Sequence, residues 1–179
     1  NNGIASKDDL KITAGTVNVT AVNNGLKGKD SITIKGGEIT VNSTGDGVKS
    51  DNTEDTTKGY IIIEGGSLNI TSGGDGIQAE TTLTISDGDI NIVSGGGSSN
   101  AATHAESFQM GPWANPSNTS SSSSSETGSA KALKAGTALT VDGGNITIDS
   151  ADDSIHTNDT VTINGGYIVI DVAGDGVDS

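Results

Sequence analysis

The chain has 179 residues, a length that suits one domain. Its 23 acidic residues face 9 lysines and no arginine, a net charge of −14, which excludes nucleic acid and anionic membranes as partners and favours divalent cations. Cysteine is absent, and no apolar stretch is long enough to insert into a membrane.

The predicted elements repeat in a fixed order along the chain. A turn with one apolar residue comes first, as Asn2-Gly3-Ile4 and Asn24-Gly25-Leu26. A short strand follows, Leu10-Lys11-Ile12 and then Ile32-Thr33-Ile34. A glycine-led strand closes the unit, Gly15-Thr16-Val17-Asn18-Val19 and then Gly36-Gly37-Glu38-Ile39-Thr40-Val41. The same three pieces return at Asp46-Gly47-Val48, Ile61-Ile62-Ile63 and Gly65-Gly66-Ser67-Leu68-Asn69-Ile70. They return again at Asp75-Gly76-Ile77, Leu83-Thr84-Ile85 and Asp87-Gly88-Asp89-Ile90-Asn91-Ile92. Beyond a long interruption come Leu139-Thr140-Val141, Gly143-Gly144-Asn145-Ile146, Asp153-Ser154-Ile155, Val161-Thr162-Ile163, Gly165-Gly166-Tyr167-Ile168 and Asp175-Gly176-Val177.

Gly65 to Asp87 and Gly143 to Gly165 are each 22 residues. A constant period of this length marks a solenoid, whose units bury their faces only against neighbours. Apolar and polar residues alternate within each strand, the period-two mark of a sheet with one buried face. Three strands per 22-residue coil predict an all-β, right-handed parallel β-helix forming a single domain over 1–179. About seven coils, some partial, stacked at roughly 4.8 Å make a rod on the order of 30–35 Å long. The period breaks twice, with a short insert at about 53–59 and a long one at about 98–131 that holds both prolines and a serine run. Inserts in a solenoid emerge as loops on one face, often the binding face. The chain starts and stops within a coil, so a fragment of a longer protein is expected.

Stacking places equivalent side chains in columns about 4.8 Å apart. The turn column reads Asn2, Asn24, Asp46, Asp75, Asp153 and Asp175. Carboxylates this close repel, so a cation, diverging side chains or hydration must offset the cost. Ca2+ suits the first option, because it takes six to eight oxygens in flexible geometry. The bland alternative is that Asp-Gly is simply good turn chemistry. A second acidic set follows the turn: Asp8, Asp30 and Asn52 in one column, Asp51 and Glu80 in another. Asp30, Asp51, Glu54, Asp55 and Glu80 form the predicted calcium cluster, against a solvated acidic face. No EF-hand spacing is present. Zinc is not expected, because His104 and His156 are not paired at ligand spacing.

Asp152-Asp153 resembles the carboxylate pairs of glycosidases, but an Asp recurring in coil after coil is more simply structural. Lys27 and Lys49 share a column, Lys7 and Lys29 the next one, and Lys134 lies on the same segment. These lysines pair either with uronate carboxylates of a polysaccharide or with neighbouring aspartates. A polysaccharide lyase would recruit Lys29 or Lys49 beside a metal-assisted base. The outward Thr33, Thr84, Thr140 and Thr162 are ordinary strand composition, broken as a ladder by Lys11 and Ile62. In the long insert, Phe108, Met110 and Trp113 either stack on sugar rings or pin the loop to its scaffold.

Gly25-Leu26-Lys27-Gly28-Lys29-Asp30, Gly47-Val48-Lys49-Ser50-Asp51-Asn52-Thr53-Glu54-Asp55, Asp75-Gly76-Ile77-Gln78-Ala79-Glu80 and Asp152-Asp153-Ser154-Ile155-His156-Thr157-Asn158 together carry a resemblance. They resemble a family of bacterial cell-surface proteins, carbohydrate-binding domain-containing, of the polysaccharide-lyase-like right-handed β-helix type. The resemblance spans essentially the whole chain. It implies an extracellular protein with calcium along the helix, affinity for plant polysaccharide such as cellulose or pectic acid, and no secure enzymatic activity. The expected function is therefore a non-catalytic carbohydrate-binding and adhesion module, with Lys27, Lys29, Lys49, Phe108 and Trp113 at the saccharide. Two rivals accompany it: a fibre or matrix protein stacking end to end as a homo-oligomer, and a calcium-dependent lyase.

Overall fold

A computed structural model describes residues 1–100 and 130–179 of the chain. Nineteen short strands, β1–β19 in chain order, form three sheets in which every pairing is parallel. The first sheet runs β1 (Ile4–Ser6), β4 (Leu26–Gly28), β7 (Val48–Ser50), β10 (Ile77–Ala79), β13 (Leu133–Ala135), β16 (Ile155–Thr157) and β19 (Val177–Asp178). The second stacks β2 (Asp9–Ile12), β5 (Ser31–Ile34), β8 (Tyr60–Ile63), β11 (Thr82–Ile85), β14 (Ala138–Val141) and β17 (Thr160–Ile163). The third stacks β3 (Thr16–Ala21), β6 (Glu38–Ser43), β9 (Ser67–Ser72), β12 (Asp89–Ser94), β15 (Asn145–Ser150) and β18 (Tyr167–Val172). Each strand pairs with the third strand before it and the third after it, which is the pairing rule of a parallel β-helix with three strands per coil. Its right-handed sense is the one parallel crossovers adopt.

Register follows the repeat. Ile4, Leu26, Val48, Ile77, Leu133, Ile155 and Val177 stand in one column. On the second sheet Ile32, Ile61, Leu83 and Leu139 align, each 0% exposed. Ile39, Leu68, Ile90 and Ile146 align likewise on the third. The core is thus one coil wide, and each fully buried aliphatic contributes roughly 1.5–3 kcal/mol. This explains how a chain with only 31% hydrophobic residues closes a continuous interior.

The glycine that leads each third-sheet strand has a backbone cause. Gly15, Gly37, Gly66, Gly88, Gly144 and Gly166 all have positive φ, between 93° and 130°. A β-carbon on Gly66 would also lie 2.9 Å from the Gly37 carbonyl oxygen one coil below. Both constraints recur at every corner, so the glycine recurs too.

The two breaks in period leave the stacking intact. After Asp30 the ladder passes to Gly59, whose N–H donates to the Asp30 carbonyl at 2.6 Å, and not to Asn52 as the spacing predicts. Asn52 instead turns its side chain back: its amide donates to Asp30 Oδ1 at 2.6 Å, and its Oδ1 accepts the N–H groups of Glu54 and Asp55. The strand β12 leads into a short 3-10 turn, Ser98–Asn100. The scaffold has resumed by Ala130, which is buried, and Lys131 already occupies the turn column. Phe108, Met110 and Trp113 lie outside the described residues, as does His104.

Candidate functional site

The turn column is a ladder of side-chain acceptors. Asn2 Oδ1 accepts the Asn24 N–H, Asn24 Oδ1 the Asp46 N–H, and Asp46 Oδ1 the Asp75 N–H. Asp75 Oδ1 accepts the Lys131 N–H, and Asp153 Oδ1 the Asp175 N–H, each at 2.9 Å. Every rung therefore uses one side-chain oxygen to satisfy a backbone donor of the next coil. Lysine has no acceptor, so the ladder stops at Lys131 and restarts at Asp153. The sequence-level column omits Lys131, because a lysine interrupts the Asx pattern just where the 56-residue step replaces the 22-residue one.

The second oxygen of each carboxylate faces a lysine. Asp46 holds Lys49 at 2.7 Å, and Asp75 holds Lys134 at 3.1 Å. Asp153 holds Lys131, which also reaches Asp152 at 3.1 Å. Burial pushes the Asp75 carboxyl up from its ordinary value, and the lysine beside it only partly opposes this. Burial acts the same way on Asp153, but there the Lys131 ammonium and the Asp175 N–H outweigh it and hold the carboxyl down. The repulsion expected within the column is thus offset by lysines one strand away.

The predicted calcium cluster is dispersed by similar contacts. Asp30 takes Lys58 at 2.7 Å, and that ammonium with the Asn52 amide holds its carboxyl below the ordinary range. Asp51 takes Lys27 at 2.6 Å, and Glu54 takes Lys29 at 3.1 Å. Asp55 caps its own loop, accepting the N–H and hydroxyl of Thr57 through Oδ1. Glu80 and Asp175 have no ion pair with a lysine. Among the described residues, the group of three metal-ligating side chains whose atoms lie within 4.8 Å of one another is Asp153, His156 and Asp178. These oxygens do not make a preformed all-protein cage for calcium at Asp30, Asp51, Glu54, Asp55 and Glu80. Linear density of acids misleads here, because each acid turns to a different partner.

A groove opens where the first sheet meets the following corner in the early coils. Its volume is about 490 Å³, and it is lined by Asn2, Ala5, Ser6, Lys7, Lys27, Lys29 and Asp51. Lys27 sits on β4, above Ala5 and below Lys49. Lys7 is exposed and makes no ion pair. Three ammonium groups therefore face one carboxylate in the lining of a chain whose net charge is −14. Lys49, predicted with them, is outside this lining and is held by Asp46 and by Gln78 Oε1 at 2.7 Å.

A family model described as "Carbohydrate-binding domain-containing protein" matches residues 1–176. No curated protein and no solved structure matches the chain.

Proposed function

Since the chain belongs to the carbohydrate-binding domain-containing family, we propose that it is a non-catalytic module of the bacterial cell surface that holds acidic plant polysaccharide in the groove beside β1 and β4. One observation supports this: Lys7, Lys27 and Lys29 converge on an open groove with a single carboxylate, Asp51. A uronate carboxylate brought there gains charge-assisted hydrogen bonds from ammonium donors. Lys7 is free to give them at once, and Lys27 and Lys29 by sharing with Asp51 and Glu54. The rigid coil stack holds the donors in place before the ligand arrives, which lowers the ordering cost of binding.

Calcium enters this reading as an ion shared with the polysaccharide's own carboxylates. Asp55, Glu80 and Asp175, which carry no lysine, are the protein oxygens open to it. Calcium needs several oxygens, and uronates would supply those that the protein does not.

Affinity electrophoresis of the full chain through polygalacturonate, methyl-esterified pectin and cellulose, with and without chelator, tests the proposal. Retardation is expected on polygalacturonate, weakening in Lys7→Gln, Lys27→Gln and Lys29→Gln. Each substitution should cost about 3–10-fold at low salt and less at high salt. Equal retardation on neutral glycans, or none on the acidic one, would overturn it.

A further inference from the structure

We propose that Asp153, His156 and Asp178 form a binding site for a divalent transition ion, with zinc the best fit. His156 Nδ1 lies 2.9 Å from Asp178 Oδ2 and 4.0 Å from Asp153 Oδ2. The three ligand atoms come from two adjacent coils, since β16 pairs with β19 and sets His156 directly against Asp178. Asp153 is oriented for the task, because its Oδ1 is fixed by the Asp175 N–H and its Oδ2 is left toward His156. All three residues are half-buried.

The departure from the repeat carries the argument. In the coil of Asp46, the residue three positions on is Lys49, and its ammonium neutralises that aspartate. The same column carries Lys27, Lys49, Gln78 and Lys134 before it reaches His156. In the coil of Asp153 the three-residue step thus meets an imidazole, which when neutral supplies a lone pair and no charge. Around it three carboxylates, Asp152, Asp153 and Asp178, face one ammonium, Lys131. Two negative charges remain, the number a divalent cation cancels. A nitrogen donor beside two carboxylate oxygens suits zinc and its neighbours better than calcium, which prefers oxygen alone. On ion entry, Nδ1 gives up the proton it donates to Asp178. Lys131 relinquishes Asp153 and keeps Asp152, so it is not stranded.

Calorimetric titration of the full chain with Zn2+, and the visible absorption of bound Co2+, test the site. One ion per chain is expected, with Co2+ bands that excess calcium does not remove. His156→Lys restores the arrangement seen at Lys49, so the fold should persist by circular dichroism and thermal melting. Its ion affinity, and that of Asp178→Asn, should fall by at least the roughly 10–100-fold that loss of an outer-shell partner costs. Failure to take up either ion overturns the proposal. So does uptake that survives His156→Lys, that calcium displaces, or that disappears in His104→Gln.

Discussion

Asp46 separates the two jobs of the turn column. Its Oδ1 accepts the Asp75 N–H at 2.9 Å, and its Oδ2 holds Lys49 at 2.7 Å. Asp75 is only 3% exposed, so water cannot replace the lost acceptor. Asp46→Ala leaves that donor unsatisfied, at a cost of about 1–3 kcal/mol. It also breaks a partly exposed ion pair worth at most about 1 kcal/mol, and Lys49 keeps Gln78. The sum is about 1–4 kcal/mol. Asp46→Asn keeps the acceptor, as Asn24 does one coil earlier, and should cost no more than about 1 kcal/mol. Urea unfolding at constant slope measures the difference, and hydrogen exchange at the Asp75 amide locates it. If Asn were as damaging as Ala, charge or an ion held by it would be the column's purpose, and the acceptor ladder would not explain the repeat.

Three further changes follow from the same geometry. Asp75→Asn keeps the acceptor for Lys131 and removes a carboxyl whose folded value burial raises above 3.8. Such a group binds more protons folded than unfolded, so native stability falls as pH rises through the window between the two values. The variant should therefore match or exceed the parent at neutral pH and lose that advantage below the ordinary carboxylate range, as melts across pH will show. Ser154 Oγ is a buried polar atom without a partner, in a column otherwise made of glycine and Ala132. Ser154→Ala should stabilise by about 1–3 kcal/mol in denaturant titrations, and a loss of stability would mean the hydroxyl is satisfied. Gly66→Ala meets both a φ of +103° and the Gly37 oxygen, so it should cost more than about 1 kcal/mol, whereas an exposed glycine of ordinary φ would not.

The scaffold is legible in the sequence because each coil repeats the same physical problem. Ile61 and Leu83 are inward for the same reason as Ile32, and the 22-residue step names their partners before any coordinate does. Lysine–aspartate compensation is legible only as an alternative, since Lys49 and Lys134 have the length to reach either a ligand or an aspartate. Distances of 2.7 and 3.1 Å decide it for both. The convergence of His156 on Asp178 goes unread when ligand spacing is sought within one stretch of chain. The informative interval is again 22 residues, the coil repeat. Asn52 misleads in the opposite direction: its place after Asp51 fits the column, but the insert lets the backbone leave and only the side chain returns.

Charge compensation along the helix accounts for where binding is proposed. In the middle coils each acidic turn has its lysine: Asp46 with Lys49, Asp75 with Lys134. Such closed pairs have little left to offer a ligand, since displacing a partner costs nearly what the new contact returns. The early coils break the balance one way, because Asn2 and Asn24 do the acceptor work of aspartate without its charge and so leave lysine in surplus. The late coils break it the other way, because His156 stands where a lysine would and leaves carboxylate in surplus. An anionic saccharide at Lys7, Lys27 and Lys29 and a cation at Asp153, His156 and Asp178 are the two complements of that asymmetry. Replacing Asn24 with aspartate probes it directly. The ladder bond survives, an added carboxylate enters the turn beside the groove lysines, and polygalacturonate retention should drop while Zn2+ uptake at the distant coil stays unchanged.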